Sequence, residues 1–394
     1  MIIKKTAVAL SLTITLFAGS TFADHYEREH HEDPYHAHLD HVFLIMMENH
    51  SYEQIIGNPN APFINKMTKI TNLATNFSAI GHPSLTNYLE VVGGSNFGVI
   101  SDHSPDWHNE TCIPNLVSGV PSKESSPNAI CPIAGIGMDA PTPAVDTNNE
   151  GTLSRPVYNT PFPAARTIGR TIADQLTDAG MSWKSYQEDL PAAGADQVNY
   201  SDGIFSNLSP VKQSNIQKLY AVKHNPFAYF ANVQGNVDPT NGLANMVGFG
   251  GIKGLYSDLR AGKMPNFSFI APNQCHDMHG TSNSGALCAY EPNPTLIQMG
   301  DATVQELVTE ITKSDAWSNG KNAIVVLWDE NDFSSLPNKV VAIVETNYGA
   351  MGIQSGKPYN HFSLLKTLEI GFGLKCLNHA CDENVEAMFD LFGL

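Results

Sequence analysis

Val42-Phe43-Leu44-Ile45-Met46-Met47-Glu48-Asn49-His50 holds the pattern on which the fold turns: an unbroken apolar run, then an abrupt change to carboxylate, amide and imidazole. A short continuous apolar run fits a strand buried on both faces of a parallel sheet better than it fits an amphipathic element. Phe267 to Ala271 and Ala323 to Trp328 repeat it, and Val340 to Val344 reads as a fourth strand of the same sheet. Between these runs lie helical stretches: Ala165 to Ala179 stopped by Gly180, Ala302 to Lys313 capped by Asp301, and His361 to Ile370 stopped by Gly371. Strands alternating with helices predict an α/β fold with a largely parallel central sheet flanked by helices.

Open parallel sheets bind ligands beyond the carboxyl ends of their strands, so the residues following each apolar run are the ones to read. Glu48-Asn49-His50 follows the first, Pro272-Asn273-Gln274-Cys275-His276-Asp277-Met278-His279 the second, and Asp329-Glu330-Asn331-Asp332 the third. Any one cluster reads equally well as a polar loop or helix cap. Their recurrence at equivalent strand ends shifts the balance towards a hard or borderline divalent cation, because crowded carboxylates without one repel each other or stay protonated.

A nucleophile candidate lies in Gly81-His82-Pro83-Ser84-Leu85-Thr86-Asn87-Tyr88. Pro83 fixes the turn and Ser84 starts a helix whose free N–H groups and dipole favour an anion such as phosphate. Read from this segment alone, Ser84 is better explained as an ordinary helix cap, and Thr86 is the runner-up nucleophile. His224 and His361 read singly as structural imidazoles, the commoner fate, or as donors to a phosphate oxygen or leaving group.

Lys4 and Lys5, the apolar run Ala7 to Phe17 and small residues up to Ala23 read as an export signal over residues 1–23. That run, about 11 residues, is short of the roughly 20 a membrane-spanning helix needs, and no later stretch reaches that length. The expected product is secreted or periplasmic. Residues 24–40 form a His-rich leader, and 41–394 a single domain interrupted by a loop-rich insertion over 93–163, placed across the active-site face. The formal charge of −17 makes nucleic acid and anionic membranes poor partners. The six cysteines of an exported chain suggest disulfides, and of the possible pairings the simplest joins sequence neighbours: Cys112 with Cys131, Cys275 with Cys288, Cys376 with Cys381.

Seven segments together resemble a known family: MMENHSYEQIIG at 46–57, GHPSLTNYL at 81–89, IADQLTDAGMSWKSYQEDLP at 172–191, KHNPFAYF at 223–230, FIAPNQCHDMHG at 269–280, VVLWDENDF at 325–333 and YNHFSLLKTLEIGFGL at 359–374. The chain is similar to the bacterial phosphoesterases that include acid phosphatases and phosphatidylcholine-preferring phospholipases C, with a fold like that of alkaline phosphatase. The resemblance implies Glu48, Asn49, Ser84, Asp329 and Glu330 as metal ligands and Ser84 as nucleophile. It implies His224 and His279 as catalytic groups around the phosphate, with His276, Asp277 and His361 as further candidates there. The implied cofactor is a divalent cation, zinc in expectation, with calcium admitted by the oxygen-rich ligand set.

Within that class the expected reaction is phospholipase C cleavage of a phospholipid headgroup, approached over an apolar surface to which Trp107, Phe162 and Trp183 could contribute. The alternative is an acid phosphatase acting on phosphomonoesters. A rival of another class is an exported metal-binding protein whose function resides in the His-rich leader. A sulfatase-like enzyme is disfavoured because no C/S-x-P-x-R motif is present.

Overall fold

The apolar run at 42–47 becomes β1 (His41–Met47), an inner strand of the sheet, and every residue from Val42 onward is buried, on both faces alike. The structure, a computed structural model, describes residues 38–99, 102, 169–190, 219–235, 237–281, 284–290, 293–333 and 337–394. Among them the other strands are β2 (Asn72–Ser78), β3 (Trp183–Gln187), β4 (Met246–Val247), β5 (Phe267–Ala271), β6 (Asn322–Trp328), β7 (Lys339–Thr346), β8 (Gln354–Ser355) and β9 (Tyr359–Asn360). One sheet runs β4-β3-β5-β1-β6-β7-β2-β8, with β9 also pairing β2.

Strands β4, β3, β5, β1 and β6 are mutually parallel, so Gln187, Ala271, Met47 and Trp328 deliver their following residues to one edge. The expectation of a parallel strand at Val340 to Val344 is corrected: β7 runs antiparallel to both β6 and β2. Its link to β6, residues 329–338, falls short of the dozen or so residues that a parallel crossover requires. β2 was not read from the sequence because Asn72, Thr75 and Asn76 break its apolar pattern.

The predicted helix over Ala302 to Lys313 is the second half of a longer one, Pro294–Thr312, capped by Asn293, whose side chain accepts from the Thr295 amide. Asp301 caps a different helix. Its two oxygens accept from the amides of Phe63 (3.0 Å) and Ile64 (2.8 Å) at the start of Pro62–Ile70, a helix whose own N-cap is Ala61. The stretch read from Ala165 is helical over Ile172–Asp178, where Thr171 and Asp174 form a capping box. Helix His361–Gly371 starts where expected, on the cap Asn360. Trp183, offered for a lipid approach surface, is core: it is buried in β3 with its ring 4.6 Å from that of Phe227.

Disulfides Cys275–Cys288 and Cys376–Cys381 follow the neighbour pairing. The export signal, nearly all of the His-rich leader, Cys112, Cys131, Trp107, Phe162 and most of 93–163 lie outside the described residues. No described helix is long and apolar enough to cross a membrane.

Candidate active site

Ser84 is the first residue of helix Ser84–Gly93, reached from the end of β2 through Gly81-His82-Pro83, and every residue of that helix is buried. Its hydroxyl sits between two carboxylates from different strand ends, 3.1 Å from Glu48 Oε2 beyond β1 and 3.1 Å from Glu330 Oε1 beyond β6. The Lys223 ammonium lies 3.4 Å from the same oxygen. The runner-up, Thr86, spends its hydroxyl on the Pro83 carbonyl at 2.8 Å.

Around Ser84 the side chains hold one another. Glu330 Oε2 is 2.7 Å from His82 Nδ1 and accepts from Asn87 Nδ2 at 3.2 Å, one helical turn beyond Ser84. His224 bridges Glu48 Oε1 and Asp277 Oδ2 at 3.1 Å each, with its ring stacked on Tyr88. His279 donates its backbone N–H to Asp277 Oδ1 at 2.7 Å. Asp329 accepts from the Asn49 amide at 3.2 Å, and His361 Nε2 lies 2.7 Å from the Asp329 carbonyl. Asn49 itself, two residues past the end of β1, has φ 57, in the left-handed region.

Burial pushes the carboxyls of Glu48, Asp277 and Glu330 well above the usual range and that of Asp329 up to about 8, and neighbouring carboxylates add to the effect. Burial and then the Lys223 charge hold His224 well below the ordinary imidazole value and His279 down at about 3, so both rings are neutral at physiological pH.

The donor set suits a divalent cation. Asn49 Oδ1 and Asp329 Oδ2 are buried without a hydrogen-bond partner, a costly condition that a bound cation relieves. Carboxylate, amide and serine oxygens from Glu48, Asn49, Ser84, Asp329 and Glu330 would supply hard ligands. Glu48, His224 and His279 also present one ligand atom each within 4.8 Å of one another, and neutral imidazole is the ligating form.

The site residues named from the sequence therefore meet, with two qualifications. His276 leaves the group: its Nδ1 is 2.8 Å from Glu188, beyond the end of β3. His361 reaches the cluster through the Asp329 backbone and packs on Phe77. The sequence reading missed Lys223, Asp102, His82 and Asn87. Lys223 adjoins His224, and Asn87 stands three residues after Ser84, so both carried a signal; Asp102, whose carboxylate accepts from the Leu85 amide at 3.0 Å, had none.

The Phosphoesterase family model matches residues 59–375. A probable acid phosphatase of Kluyveromyces lactis is 25% identical over 347 residues, 87% of this chain and 61% of that protein. A phosphate-repressible acid phosphatase of Penicillium chrysogenum is 25% identical over 357 residues, 89% of this chain and 63% of that protein. The chain thus spans a little over three fifths of these two relatives. A phosphatidylinositol-3-phosphatase of Mycobacterium tuberculosis is 25% identical over 358 residues, 90% of this chain and 83% of that one. Among solved structures, an alkaline phosphatase superfamily protein of Vibrio parahaemolyticus aligns over 88% of this chain and 70% of that chain, with 13% identity and a TM-score of 0.44.

Proposed function

Because the chain belongs to the phosphoesterase family, we propose that it is an exported, metal-dependent phosphatase that removes phosphate from monoesters, with Ser84 as nucleophile. The observation that carries this is the Ser84 hydroxyl at a buried helix start, 3.1 Å from both Glu48 and Glu330. Between the phospholipase C expectation and the phosphomonoester alternative we favour the latter, because the similar proteins are named acid phosphatase or phosphatidylinositol-3-phosphatase. Two disulfides support an oxidising, extracytoplasmic location.

Glu48, Asn49, Ser84, Asp329 and Glu330 would hold the cation, expected to be zinc. Bound there, it supplies positive charge that favours the serine alkoxide and the phosphoryl oxygens. Ser84 Oγ forms a bond to phosphorus as the bond from phosphorus to the ester oxygen breaks, the serine proton ending on the departing alcohol; water then adds its oxygen to phosphorus as the Oγ–P bond breaks, one of its protons returning to Oγ and phosphate leaving. Glu48 and Glu330 fix the direction of Oγ, and His82 and Asn87 fix Glu330. His224 is held between Glu48 and Asp277 and orients both carboxyls.

Two measurements test the reading. Ser84→Ala is expected to lower kcat on a soluble aryl phosphate on the order of 10⁴-fold or more while thermal unfolding stays near that of the parent. Rates on that monoester are expected to exceed those on phosphatidylcholine vesicles. Phosphatidylcholine cleavage that equals or outpaces the monoester would restore the phospholipase reading, and an active Ser84→Ala enzyme would remove the nucleophile.

A further inference from the structure

Four carboxylates crowd the Ser84 site, yet the group it must receive is itself an anion. Lys223 is the cation whose field reaches all four, Glu48, Asp277, Asp329 and Glu330. It stands on the short 3₁₀ turn Val222–His224, beside the ring that bridges Glu48 and Asp277, and only 3% of it is exposed. Its Nζ makes three polar contacts in line with the nucleophile: Ser84 Oγ at 3.4 Å, His279 Nε2 at 3.1 Å and Asp102 Oδ2 at 3.4 Å.

The partners fix its state. His279 Nδ1 lies 2.8 Å from the Gly280 carbonyl, which accepts its N–H and leaves Nε2 as an acceptor towards the ammonium. Asp102 also accepts from the Leu85 amide at 3.0 Å, so a single carboxylate spans the lysine and a free N–H of the Ser84 helix. Of the three groups the ammonium touches, His279 and Asp102 hold it in place, and the third is Ser84 Oγ, where a phosphoryl group under attack would sit. Lys223 loses the rotamer freedom of a long side chain to stand there, a cost that a lysine serving only as a counterion could avoid at the surface.

We propose that Lys223 is a catalytic residue of this site: its ammonium, buried beside the Ser84 hydroxyl and held by Asp102, binds a non-bridging oxygen of the phosphoryl group under attack. The inference rests on the phosphoester reading of Ser84. The lysine forms no covalent bond and gives up no proton; it faces the charge that grows on the phosphoryl oxygens and is released with the phosphate.

The test uses the cation-loaded full chain with Lys223→Gln, which keeps a hydrogen-bond donor, and Lys223→Arg, which keeps the charge. Lys223→Gln is expected to lower kcat/KM on an aryl phosphate about 10²–10³-fold and to weaken orthovanadate inhibition by a similar factor, with bound cation unchanged; Lys223→Arg retains more of both. Vanadate inhibition that is the same in wild type and Lys223→Gln overturns the proposal, as does a loss that excess cation fully restores. If the variants do not fold, a crystal structure of the wild-type holoenzyme with orthovanadate decides: a vanadate oxygen within hydrogen-bond reach of Nζ supports the role, and oxygens facing away from it overturn it. Calorimetric titration with inorganic phosphate separates the two readings, since a chain that hydrolyses nothing yet binds phosphate in a Lys223-dependent way sinks the hydrolase and supports the anion site.

Discussion

His82 shows how a single residue beside the proposed nucleophile acts through another. Burial lowers its imidazole to about 4, so it is neutral through the physiological range; its Nδ1 is 2.7 Å from Glu330 Oε2 and its ring stacks on Phe333 at 3.8 Å. Among the described residues, Asn87 is the donor that would still steer that carboxylate oxygen if the ring were removed. Groups of this kind typically account for one to two orders of magnitude in metal affinity, so His82→Ala is expected to weaken cation binding about 10–100-fold in a metal-buffered titration. Equal affinity in the two proteins would show that Glu330 needs no such support. His276 illustrates the opposite outcome, since it sits one position from Asp277 yet its ring goes to Glu188.

At the scale of elements, the helices Ser84–Gly93 and His361–Gly371 pack together beside the sheet, and the second carries Glu369 with no exposed surface. Burial pushes its carboxyl up to about 8. A group raised in this way stabilises the fold below its unfolded value, near 4.5, and that contribution is lost as pH climbs through 8. Glu369→Gln keeps the shape without the titration. The variant is expected to match wild type near pH 4.5 and to be more stable by about 2–4 kcal/mol at pH 9 in urea unfolding. A difference that is flat across this range would mean that the carboxyl stays ionised in the fold. Gly94 ends the first of these helices with φ 69, and a Cβ there would stand 2.5 Å from the carbonyl oxygen of Leu377, six residues past the end of the second helix, so only glycine fits at that approach.

For the molecule as a whole, side chains following β1, β5 and β6 converge on the start of one helix, so a bound cation ties distant parts of the chain together. Chelation is expected to lower the thermal midpoint. At a free cation concentration a hundredfold above Kd, the stabilisation lost is about 2.7 kcal/mol, and scanning calorimetry with chelator and then with returned metal reads it directly. An unchanged midpoint would mean that the carboxylates do not gather around an ion. The family and several residues of the candidate site were legible in the chain: unbroken apolar runs must be buried on both sides, so the polar residues that end them emerge at the carboxyl edge, and among these the family resemblance implied Glu48, Asn49, Asp329 and Glu330 as candidate ligands. Proximity between segments far apart in sequence was not legible. Lys223 reaching Ser84, Asp102 reaching the Leu85 amide and Asp301 capping a helix more than 200 residues away each depend on distances that no local pattern encodes. The direction of β7 likewise followed from how short its link to β6 is. Local periodicity sets which residues are buried and at which end a strand is polar; only the packed chain sets which of those polar groups touch, because contact is a property of position in space and not of order along the backbone.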